Sequence, residues 1–88
     1  MDGRKAVTLL HNCKPLAKKV AESGGYGVEL TDQDRAALAG FEKVVEAGFL
    51  NNFYIVMTAG LNSVEVQVLQ FLLLRETTRG IFKDNTIY

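Results

Sequence analysis

The sequence predicts an all-α fold, a small bundle of three to four helices. Three observations predict it: apolar residues recur every three or four positions, capping residues stand where those stretches begin, and glycines stand where they end. The 88 residues make one domain, 1–88, because two would each be too small to hold a core without staples. An apolar content of 48 % with a single proline sets the chain apart from disordered and low-complexity classes.

The first element is a helix over residues 3–22. Ala6, Leu9, Leu10, Cys13, Leu16, Ala17 and Val20 form one stripe of a 3.6-residue period, and Arg4, Lys5, Lys14, Lys18 and Lys19 fall on the opposite half. Pro15 removes a backbone donor, so the helix either kinks there or divides, with one piece ending near Asn12 and another carrying Pro15 early. The stripe passes through Pro15 in phase, which favours one kinked element. Gly24, Gly25 and Gly27 then supply a C-terminal cap and a connection.

A second helix is predicted over 32–47. Thr31 is its N-cap candidate, Asp32 and Asp34 meet the positive end of its dipole, and Gly48 sits at the C-terminal cap. The segment 49–60 stays open between a buried strand and a short buried helix, because the run Phe53, Tyr54, Ile55, Val56, Met57 has no decisive period. A last helix starts at Ser63, where Asn62 and Glu65 make a capping pair, and runs to Arg79, with Gly80 behind it. The competing α+β arrangement has a C-terminal hairpin from residues 53–59 and 63–71, since Val64, Val66 and Val68 alternate with polar residues. The tail, 81–88, admits a small hairpin, a docked extension or a frayed end.

The residue inventory speaks against catalysis and metal binding. His11 is the only histidine and Cys13 the only cysteine, and two residues apart on one helix they point away from each other. A structural zinc site takes four Cys or His ligands at short spacings, so no metal and no cofactor is expected. Asp32, Asp34, Glu42 and Glu46 have sufficient structural roles and lack the apolar surroundings that tune an acid or base. The glycines at 24, 25 and 27 have no following Lys with Ser or Thr, as a phosphate loop requires. A lone cysteine and the lack of a leader-like N-terminus point to a reducing, cytoplasmic setting, and no apolar run reaches the ~20 residues of a membrane span.

Two functional readings remain. Six of the seven residues from Val68 to Leu74 are large and apolar, so the last helix needs cover on every side. The expectation is a non-catalytic protein–protein interaction module, an adaptor, inhibitor or assembly subunit whose partner is most simply a second copy, with Leu69, Phe71, Leu72 and Leu73 as candidate interface residues. The alternative is a nucleic-acid-binding accessory or regulatory protein that uses Arg4, Lys5, Lys14, Lys18 and Lys19 on phosphates. Ten basic and ten acidic side chains cancel over the whole chain, and no aromatic residue joins that basic segment.

Overall fold

The computed structural model describes residues 1–23 and 27–78, and helices and their connections account for all of them. Five α-helices follow in order: α1 (Gly3–His11), α2 (Lys14–Ser23), α3 (Asp32–Glu46), α4 (Phe53–Thr58) and α5 (Ser63–Thr78), with a 3₁₀ turn at Phe49–Asn51. The all-α bundle is therefore the architecture. The helical segments number five because the stretch 3–22 divides in two and residues 53–58 form a helix of their own.

The division at Pro15 corrects the expectation of one kinked helix. A proline ring collides with the carbonyl four residues earlier, here that of His11, the last residue of α1. In α2 the same proline occupies the first turn, where its missing N–H is not needed. The backbone turns through Asn12 and Cys13 with Cys13 N–H donating to the Leu10 carbonyl and Ala17 N–H to that of Cys13, both at 3.0 Å. This tight turn keeps the apolar stripe in phase, so the pattern could not distinguish one helix from two. The two pieces then take different neighbours: α1 packs on α3 and α4, α2 on α5, and α3 also reaches α5.

The stripe is buried as read except for Leu9, which is partly buried against the core. Ala6, Leu10, Cys13, Leu16, Ala17 and Val20 are buried, and with Leu38, Phe41 and Val44 of α3 and Val68, Leu69 and Leu72 of α5 they form the core. At the start of α3, Thr31 Oγ1 accepts from Asp34 N–H at 3.1 Å and Asp34 Oδ2 accepts from Thr31 N–H at 3.0 Å. Its end is closed by Gly48 at φ 83°, a left-handed conformation that favours glycine. Mid-helix Gly40 has a different reason: a Cβ there would lie 3.1 Å from Leu9 Cδ2, so its smallness lets α1 approach α3 closely.

The hairpin from residues 53–59 and 63–71 is not formed; no strand occurs among the described residues. Asn52 caps α4 through Ile55 N–H at 3.2 Å, and Ala59 N–H closes its far end on the Ile55 carbonyl at 3.1 Å. The chain then turns at Gly60, φ 84°, into a reciprocal capping pair: Glu65 N–H donates to Asn62 Oδ1 at 2.8 Å and Asn62 N–H to Glu65 Oε1 at 2.9 Å. A strand pairing of Val64, Val66 and Val68 would forfeit that cap, and the helix wins. The glycine cap at 24 and 25, Arg79, Gly80 and the tail 81–88 lie outside the described residues.

Candidate interaction surface

α4 and α5 each carry apolar residues on two sides. On α4, Ile55 and Val56 turn inward, whereas Phe53, Tyr54 and Met57 are 74, 76 and 56 % exposed. Phe53 and Met57, one turn apart, share a face. On α5, Val68, Leu69 and Leu72 enter the core while Val64, Phe71 and Leu74 are 60, 57 and 61 % exposed. With Gln67 those outward residues are spaced three, four and three apart, which keeps them on one stripe of the helix.

A groove of about 650 Å³ separates α4 from the first turns of α5, lined by Leu50, Phe53, Val56, Met57, Leu61 and Val66 among others. Gln67 lies on its rim and also lines a smaller hollow with Gln70, Phe71 and Leu74, so groove and stripe form one continuous face. Among the described residues the face is nearly free of charge. Of the 20 charged side chains only Glu65 falls within residues 47–74. That carboxylate is turned aside, capping α5 and lying 3.7 Å from Lys14 Nζ, which also donates to the Gly60 carbonyl.

The expected interface residues are divided by this arrangement. Leu69 and Leu72 are fully buried in the chain's own core, and Leu73 is partly buried against it, which leaves Phe71 as the exposed member of the four. The residues that reasoning from sequence missed are Phe53, Met57, Val64 and Leu74. A signal for them was present, since a stretch of 28 residues with one charge is depleted in the way interface centres are. Which leucines of 69–74 turn outward is a matter of where α2 lies, and that a run of leucines does not encode.

The five basic residues are divided between two helices, Arg4 and Lys5 on α1 and Lys14, Lys18 and Lys19 on α2. Lys19 pairs with Asp34 at 2.6 Å and Lys14 is engaged at the start of α5, while Arg4, Lys5 and Lys18 are exposed. His11 is exposed and its Nδ1–H donates to the Ala59 carbonyl at 3.2 Å, tying α1 to the end of α4. Cys13 is buried, its thiol facing the Leu9 and Ala37 carbonyls at 3.3 and 3.2 Å. Burial pushes that thiol up to about 12, outweighing a hydrogen bond from the Phe41 backbone, so it stays protonated and unreactive in the fold. Asp32 and Asp34 serve the start of α3, and Glu42 and Glu46 follow on the same helix. Among the described residues no three of His, Cys, Asp and Glu come close enough to hold a metal ion, and no helix is long and apolar enough to cross a membrane.

One charged side chain is unexpectedly deep. Glu76 is 1 % exposed and accepts from Arg75 Nε at 2.8 Å. The pair borders a polar hollow with Gly27, Glu29 and Arg35, two cations against two carboxylates. Among the described residues those charges balance.

Compared with known protein families, curated proteins and solved structures, the chain matches none.

Proposed function

We propose that this protein is a non-catalytic interaction module that works by burying the α4–α5 face against another protein. The observation that carries this reading is the pairing of exposure with the lack of charge: large apolar side chains stand in water within residues 47–74, a stretch whose single charge is Glu65. Soluble monomers expose few contiguous patches of that kind, and interface centres are depleted in charge and enriched in aromatic residues and Met. The polyanion reading draws less support, because two of its five cations are already engaged and the remaining three are divided between two helices. The lone buried thiol suits a reducing, cytoplasmic setting.

The test is site-specific photo-crosslinking in living cells, with the reactive side chain placed at Met57 or Leu74 and, as a control, at exposed Lys43 on α3. Discrete protein adducts are expected at the first two positions and none at the third. Adducts equally abundant at all three, or absent from all, would sink the reading.

A further inference from the structure

Resting on that reading, we propose that the occupant of the α4–α5 face is a second copy of this chain, docked about a two-fold axis with the two α5 helices antiparallel. The first support is the spacing. Val64, Gln67, Phe71 and Leu74 follow the three-four-three rhythm by which paired helices set knobs into holes. Laid antiparallel and centred at position 69, the stripe is its own complement: Val64 comes opposite the partner's Leu74, and Gln67 opposite the partner's Phe71. The polar Gln67 also fixes the register, because a slip of one heptad carries its amide off the partner's ring and leaves one end of the stripe in water.

The second support is charge. A face of one sign repels its own copy, whereas among the described residues this one brings only Glu65, already satisfied by the α5 cap and Lys14. The third is area. Phe53, Met57, Val64, Phe71 and Leu74 expose on the order of 500 Å² of side chain. With the groove wall and the two glutamines the face approaches the roughly 800 Å² that one partner contributes to a stable interface of ordinary size. In this geometry the ridge of one α5 enters the groove beside α4 of its partner.

The full chain is measured by analytical ultracentrifugation from low to high micromolar concentration, alongside Leu74→Glu, Met57→Glu and the control Lys43→Glu. All three substitutions are at exposed positions, and circular dichroism verifies that each variant keeps its helix content. A wild-type dimer is expected, with its dissociation constant raised about 100-fold or more by L74E and M57E and unchanged by K43E. The register is read by oxidative crosslinking in a Cys13→Ala background. An equimolar mixture of V64C and L74C chains should crosslink, and neither alone should, because 64 and 74 lie about 15 Å apart along the helix. A wild-type monomer at all concentrations overturns the inference, as does a dimer indifferent to both acidic substitutions. So does a chain lacking residues 79–88 that dimerises when the full chain does not, since the tail is then the occupant, or a monomer that sediments with lipid vesicles. A monomer that still yields the Met57 and Leu74 adducts leaves the interaction reading standing with a different partner; a monomer without them ends both.

Discussion

Asp34 joins two helices through one carboxylate. It closes the Thr31 capping box and accepts from Lys19 of α2 at 2.6 Å. Its partial burial opposes ionisation, but the Lys19 hydrogen bond and charge and the Thr31 hydrogen bonds outweigh it, and the pKa lies below the usual 3.8. A carboxylate whose folded pKa is lowered contributes stability that is present above the unfolded value and lost as the pH falls through the folded one. Asp34→Ala is therefore expected to cost about 1–2 kcal/mol at neutral pH, from the lost cap and a partly exposed ion pair. The difference between wild type and variant in thermal midpoint should shrink once the pH drops below 3.8, followed by circular dichroism. A gap of constant size down to the acid limit would show that the carboxylate's charge is irrelevant. The cap was legible in the sequence, because Thr and Asp three residues apart before an alanine-rich stretch have a local meaning. The tie to Lys19 was not, because it depends on how α2 lies against α3.

At the level of elements, what is local was readable and what is relational was not. The bounds of α3 and the start of α5 follow from Thr31, Gly48 and the Asn62–Glu65 pair, all of which act within a turn of the positions they control. The division of the first helix was obscured because the Cys13 turn conserves the phase of the stripe. The Phe53–Thr58 segment was ambiguous for a different reason: six residues are too few for a period, and such a helix is marginal without its caps and its two buried anchors, Ile55 and Val56. The α5 cap lends itself to a direct trial. Asn62→Ala removes the acceptor for Glu65 N–H, and about 1 kcal/mol of stability should go with it in urea denaturation, whereas Asn62→Asp should retain most of it. Equal losses for the two would assign the effect to something other than the cap. Gly60 just before it, at φ 84°, is the position where a branched residue would be strained whatever space surrounds it.

At the scale of the molecule the non-adjacent pairings decide stability. α2 packs on α5 and α1 on α3 and α4, so the first two helices take their cover from elements later in the chain. A chain ending after Gly60 should accordingly lose cooperative unfolding and show a sloping thermal melt, since α2 is left without α5, the helix it packs on; a sharp melt in that fragment would make α5 an appendage. From the sequence the last helix is expected to need cover on every side; the chain itself covers Val68, Leu69 and Leu72 and leaves Val64, Phe71 and Leu74 exposed. Leu69 and Leu72 are among the interface candidates by sequence because composition shows how much apolar surface must be hidden, not which neighbour hides it. Phe53 and Met57 were overlooked for the converse reason, that a run of large apolar residues is read as core by default.

The turn at Asn12 and Cys13, which sends two successive helices to distant neighbours, bears on how the protein is made. A nascent chain emerges with its amino terminus first, so the oily flank of α2 leaves the ribosome bare and must wait for α5 to follow. Docking of that flank is thus postponed until α5 has been made, and its pace is governed by bringing far-separated stretches together, more slowly than in a bundle whose successive helices zip onto one another.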